Sequence, residues 1–264
     1  MYLYVIILLF LYTTMKIIIR ALIIIAVSQV IESRPHEGSN HTLNAGLGYT
    51  SHFFVDLHSS PLRYSNSTLM FAAQYTNERR RGLHRIGIGY DGGEFTTSRA
   101  DPGRMFENYY RLYFEGGYTH QMVSLFDDDF RLFGGFYFDN ILTHREHFYF
   151  EGRSDLFMEF FSAFHPAMEA YYRIGNRHVL RSRIGISPIA YIRHSPYSVR
   201  GSAQDTFQFF DSFRKVGILI SYQYSVSARM HTEILFSLNY YRHAIPQKLR
   251  FATENLMIQF GYNL

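Results

Sequence analysis

Cysteine and tryptophan are both missing from the 264 residues. Without Cys there is no disulfide framework, no thiolate metal site, no cysteine nucleophile and no lipid-modified N-terminal Cys. Long apolar runs are missing too once the first thirty residues are passed. No later stretch approaches the roughly 18 apolar residues of a membrane helix, which excludes a helical membrane bundle. Charge of one sign is also lacking. The formal net charge is +4, from 26 Lys plus Arg against 22 Asp plus Glu. The one dense basic run, Arg79–Arg80–Arg81, reads as a turn, so no nucleic-acid partner is expected.

What is abundant is aromatic: 22 Tyr and 25 Phe make up 18% of the chain. The N-terminus holds the strongest apolar stretch. Residues 1–33 read as a secretory signal, with Met15–Lys16 as the true start if the first fourteen residues are an upstream extension. Ile17–Ile19 and Ala21–Val27 then form its apolar core. The bland alternative is an uncleaved membrane helix, interrupted by Lys16 and Arg20. Residues 34–40 read as a short polar leader, and 41–264 as one domain.

Through that domain the apolar period is two, the period of a strand with unlike faces. Val216, Ile218, Ile220, Tyr222 and Tyr224 alternate with Gly217, Ser221, Gln223 and Ser225. Nine other stretches repeat the pattern, giving about ten strands, with a range of eight to twelve. They begin near Leu43, Leu69, Ile86, Tyr110, Phe130, Leu156, Leu180, Val216, Ile234 and Leu256. Pro166 predicts a bulge or bend in the sixth. Short links alternate with longer ones, the longest spanning His194 to Arg214. Short turns on one side and longer loops on the other are the rule of transmembrane β-barrels.

The polar face decides between a barrel and a soluble sandwich. A solvated face should be rich in Lys and Glu. Here it carries Gly, Ser, Tyr and Arg mixed with carboxylates, and almost no Lys, which suits a crowded inner wall. The inward set comprises Arg85, Asp91, Arg111, Glu115, Arg131, Asp139, Glu159, Glu169, Arg173, Arg181, Arg183, Arg193 and Glu233. Its signs nearly balance, so it predicts a paired network that fills the lumen. Arg181, Arg183 and Arg193 on one strand form a candidate anion patch, unless Glu159 and Glu169 next door neutralise it. Tyr90, Tyr109, Tyr110, Tyr172, Tyr240, Tyr241 and Tyr262, near strand ends, predict interfacial girdles.

The last strand carries a resemblance. Leu256, Ile258, Phe260, Tyr262 and Leu264 alternate with Met257, Gln259, Gly261 and Asn263, and this resembles the C-terminal strand of bacterial outer-membrane β-barrel proteins. The usual final Phe is Leu here. The resemblance covers residues 41–264 and implies an all-β, up-and-down antiparallel transmembrane barrel in the bacterial outer membrane. It implies outer-membrane lipid as surroundings and recognition of the last strand by the barrel-assembly machinery. The aromatic-rich, Trp-free style is similar to barrels of Bacteroidota.

Chemistry is thinner. His58–Ser59–Ser60 resembles the His-x-Ser of lipid A deacylases, but Pro61 stands in place of the Asn that follows. His165 and Ser187 fall on inward faces of adjacent predicted strands, a pairing that could activate a hydroxyl. No His pattern has metal-ligand spacing, and no cofactor is expected. The reading is therefore a mostly closed barrel with a structural or binding role. Its outer loops, Ser195 to Phe213 above all, would meet a partner protein or glycan. A narrow channel for small solutes is the alternative, a lipid-modifying hydrolase the second, and a soluble Greek-key protein the alternative fold.

Overall fold

The computed structural model describes residues 40–56, 60–79, 81–97, 106–148, 154–194, 204–244 and 249–264. The expected signal, residues 34–39 of the expected leader, His58, Ser59 and residues 195–203 of the expected long loop lie outside them, while Asn40 opens the first strand. Twelve strands run in chain order: β1 (Asn40–Asp56), β2 (Ser60–Arg79), β3 (Gly82–Thr97), β4 (Phe106–Leu125), β5 (Phe130–Phe148), β6 (Ser154–Ile174), β7 (His178–Ser187), β8 (Ile189–His194), β9 (Gln204–Phe209), β10 (Phe213–Ser225), β11 (Met230–His243) and β12 (Leu249–Asn263). Every neighbouring pair is antiparallel. β1 pairs with both β2 and β12, and β5 pairs with β6, so the sheet closes on itself.

The barrel has ten staves. β7 and β8 are one stave broken at Pro188, because β6 pairs with β7 along its later half and with β8 along its earlier half. β9 and β10 are the next stave, broken at the turn 210–212. Ten staves, an up-and-down order and strands of up to 21 residues agree with the period-two reading. The strands outrun their expected ends, since inward residues stay buried well into the expected loops.

The expected bulge at Pro166 is there, but its extra residue lies on the facing stave. Ala167 pairs with Gly185 and Phe164 with Ile189, so three residues (Ile186, Ser187 and Pro188) oppose two (His165 and Pro166). Toward β5, Pro166 stays in register opposite Phe136. Neither proline can donate a ladder hydrogen bond, so the two are accommodated at one irregularity. Ser187 repairs it: its hydroxyl lies 2.6 Å from the Phe164 carbonyl and 3.0 Å from that of Ile189.

The faces are inverted relative to a soluble protein. Leu47, Leu69, Phe71, Ile184, Ile220 and Ile258 each expose about half their surface or more on the outside. Arg85, Asp91, Glu169 and Glu233 are buried inside. A continuous exposed apolar belt of this kind is far larger than soluble monomers tolerate and is what a hydrocarbon surround rewards. Toward the turn end the belt finishes in Tyr75, Tyr118, Tyr172, Tyr222, Tyr224 and Tyr262. Two of these hydroxyls bond to histidines, His41 with Tyr75 at 2.7 Å and His178 with Tyr222 at 2.6 Å. Tyr90, Tyr110 and Tyr240 stand on the outside as expected, but Tyr109 and Tyr241 do not. Both are buried and point inward.

Candidate functional site

Eight strands enclose an interior that side chains just fill, so ten leave somewhat more to occupy. Large residues occupy it here. Two glycines allow this. Gly89 faces Tyr113 and Gly117 faces Tyr137 across neighbouring strands, and a Cβ at either glycine would strike the tyrosine ring. Each tyrosine leans over its glycine toward the lumen.

Near the turn end, Arg85 reaches from β3 to β6. Its Nη1 donates to Glu169 Oε1 at 2.8 Å and to the Tyr137 hydroxyl at 2.8 Å, and its Nη2 donates to the Tyr171 hydroxyl at 2.7 Å. Tyr137 and Tyr171 both donate to Glu169. Arg181 lies 3.5 Å from Glu169 and 3.9 Å from Glu233. Glu169 thus holds two guanidiniums and two hydroxyls with no solvent exposure.

One level toward the loops, Arg183 makes a two-pronged contact with Glu115 across the lumen, at 2.8 and 2.6 Å, and its guanidinium lies 4.2 Å from the centre of the Tyr137 ring. Paired prongs of this kind are the strong geometry for Arg and carboxylate. Lys215 meets Asp139, and His165 lies 3.0 Å from the same carboxylate. Higher still, Asp91 takes Arg111 Nε at 2.9 Å and lies 2.9 Å from His52 Nε2. Arg111 and His52 both reach Thr253 at 3.2 Å. A cavity of about 130 Å³ lies among these groups, with Glu115, Asp139, His165, Arg183, Lys215 and Asn239 in its wall.

The loop end of the lumen is mostly aromatic, with Arg145, Glu159 and His243 buried among the rings. Phe54, Tyr64, Phe95, Tyr109, Phe161, Phe213, Tyr241 and Phe251 form one buried cluster. Its rings meet across the barrel: Tyr109 of β4 lies 6.1 Å from Phe251 of β12, and Phe161 of β6 lies 5.1 Å from Tyr241 of β11. Glu159 does not reach the arginines of β7. It sits 3.5 Å from His243 in this upper region.

The structure thus gathers Arg85, Glu169, Arg181 and Glu233 in one group, Arg183 with Glu115 in a second, Asp91 with Arg111 in a third and Asp139 with Lys215 in a fourth. Arg131 pairs with Glu78 at the half-exposed turn-end rim. Arg173 keeps the inward parity but stands exposed beside the turn. Arg193 corrects the sequence reading. The extra residue at Pro188 flips the faces, so Ala190 and Ile192 point in and Arg193 points out, 59% exposed and 3.5 Å from Asp205. The expected three-arginine patch does not form: Arg181 and Arg183 meet carboxylates inside, and Arg193 is on the other side of the wall.

Sequence reading missed His52, Lys215 and the aromatic cap. Phe54, Phe95 and Phe251 carry the parity of the inner wall, and that parity is the legible signal for them. The paired hydroxyl chemistry also fails to assemble. Ser187 commits its proton to backbone carbonyls at the bulge, and His165 faces Asp139.

No family model matches the chain, and no curated protein matches its sequence. Its fold does have solved counterparts. The outer membrane protease OmpT from Escherichia coli superposes with a TM-score of 0.56 at 9% identity, over 87% of this chain and 98% of that one. The translocator domain of the autotransporter NalP from Neisseria meningitidis gives 0.47 at 9%, over 96% and 97%. The neisserial surface protein NspA gives 0.38 at 8%, over 86% and 100%. At such identities only the fold transfers, and the fold is that of outer-membrane β-barrels.

Proposed function

We propose that this protein is an outer-membrane barrel with a closed lumen that serves a structural or binding role through its loop end. The observation that carries the reading is the filling of the lumen at two separate levels. An aromatic cluster crosses it at the loop end, and the Arg85–Glu169 group crosses it at the turn end. A selective pore needs a constriction biased toward one charge. Here Arg85, Arg111, Arg131, Arg181 and Arg183 each face a carboxylate, so neither ion sign gains. The apolar outer belt supports a lipid surround, and the short turns and long links support loops that face outward from the cell. The composition, rich in Tyr and Phe and free of Trp, is the support for a Bacteroidota-like origin.

The test is conductance. Purified barrel, shown to be folded by its heat-modifiable mobility, is placed in a planar bilayer. The expected result is no steady current above the bare membrane. Stable unitary steps in the folded protein would instead establish the channel reading. For the loop role, replacing residues 195–203 by a Gly-Ser linker should leave heat-modifiability unchanged while removing adhesion to the partner protein or glycan. The protease named for the OmpT structure does not transfer at 9% identity.

A further inference from the structure

We infer that a row of arginines on the outer face of the barrel docks the phosphorylated headgroup of an outer-leaflet glycolipid of the lipid A type. The inference rests on the outer-membrane reading and adds a site to it. Arg214 of β10, Arg242 of β11 and Arg250 of β12 are direct cross-strand partners, one after the next. Arg250 pairs with Val55 of β1, and Val55 pairs with Arg63 of β2. Four guanidiniums thus stand at one level across five adjacent strands. Their parity is outward, because Phe213, Lys215, Tyr241, His243, Leu249 and Phe251 beside them are buried inside.

Such a row is a cost to the bare barrel. Like charges directly opposite each other on neighbouring strands destabilise a sheet. Among the described residues none of the four joins a carboxylate in an ion pair. Arg214 donates to the Phe210 carbonyl at 3.2 Å and lies over the Phe210 ring. The carboxylates nearby are Asp211 in the 210–212 turn, Glu254, two outward positions below Arg250, and Glu94 of β3, as far below Arg63, so four guanidiniums face three carboxylates and the face stays positive.

The residues beneath say what would cover it. One outward step toward the turn end come Val216, Tyr240, Ala252 and Phe53; below them Ile218 and Leu238 stand level with Glu254 and Ser51, and Leu256 comes one step further down. Val216, Ile218 and Leu256 are exposed on the apolar belt. An occupant must therefore put acyl chains on the belt and anionic oxygens immediately above it. Phosphates on a lipid headgroup do both, and guanidinium fits them with paired hydrogen bonds where an ammonium would not. Choice of Arg at all four positions agrees with that geometry.

The experiment uses the folded full chain in neutral detergent. Loss of the compact, heat-modifiable form is followed against temperature with added bisphosphorylated lipid A, dephosphorylated lipid A or inorganic phosphate. Bisphosphorylated lipid A should raise the transition of the native protein, and the other two should not. The triple variant Arg214→Gln, Arg242→Gln, Arg250→Gln should bind lipid A at least about tenfold more weakly, as expected for loss of several charge-assisted hydrogen bonds. Without lipid the sign should reverse. The triple variant should melt about 1–3 °C higher, because repulsion has been removed. Arg242→Gln alone gives the same test should the triple variant fail to fold. Binding unchanged in the variants, or equal binding of dephosphorylated lipid, overturns the site. Stabilisation by inorganic phosphate alone overturns the lipid as its occupant. A native protein with no compact form in any detergent fails the outer-membrane reading itself, a different result.

Discussion

At the scale of residues, the central fact is Glu169, a carboxylate without solvent that holds Arg85, Arg181, Tyr137 and Tyr171. Removing its charge strands two guanidiniums inside the barrel. Glu169→Gln should cost about 3–5 kcal/mol, the usual loss when one partner of a buried pair is taken away. It would be read as a fall in the denaturant midpoint of the compact form. Replacing Glu169 and Arg85 together by apolar residues of similar volume should cost less than the single change, which a double-mutant cycle would show. Ser187→Ala should cost about 1–3 kcal/mol by orphaning the Phe164 carbonyl. Unchanged stability in that variant would mean that the bulge needs no repair. Which residues point inward was readable from the period of two. Who meets whom was not, because Arg85 and Glu169 are partners only through the curvature that carries β3 round to face β6.

Among the elements, the broken stave β7–β8 is the instructive one. Its inward parity changes from Arg181 and Arg183 to Ala190 and Ile192 at the cost of a single extra residue. Deleting Pro188 would restore one register from His178 to His194. Two residues would then oppose two, and because the chain beyond moves up by one position, Ala190 and Ile192 would still face in and Arg193 would still face out. The expected outcome is that the heat-modifiable band is kept, and its loss would refute the reading of Pro188 as the one extra residue. The same extra residue explains why Arg193 was misplaced from sequence. A pattern read by parity carries straight through a bulge unless something marks it. Pro188 is that mark, and Pro166 on the facing stave marks the same irregularity from the other side. The stave count of ten was legible because the alternation is strong on every stave. The strand ends were less so, since the residues that extend β2, β4 and β6 toward the loops break no local rule.

For the whole molecule, two closures in series make a definite prediction. Opening the loop end alone, with Tyr109→Ala and Phe251→Ala, should leave conductance at background, because the Arg85–Glu169 group still spans the lumen. Opening the turn end alone, with Arg85→Ala and Glu169→Ala, should do the same. All four changes together with Arg183→Ala and Glu115→Ala, which remove the pair that crosses the lumen between the two ends, should give measurable current through the enlarged central cavity. Current from either pair alone would mean that only one level blocks the path.

The seam between the first stave and the last has its own consequence. Fifteen backbone pairs, from Thr42 with Asn263 to Asp56 with Leu249, join residues about as far apart in the chain as the barrel allows. Until β12 is in place, β1 has a row of unsatisfied amides and carbonyls along one edge, next to a face of exposed Leu and Phe. That is the edge on which strands of different chains pair with each other. The seam is therefore a matter of time as much as of structure: the stave made first is also the one that waits longest for its partner. A chain of this design becomes safe from its neighbours only when its circle is complete.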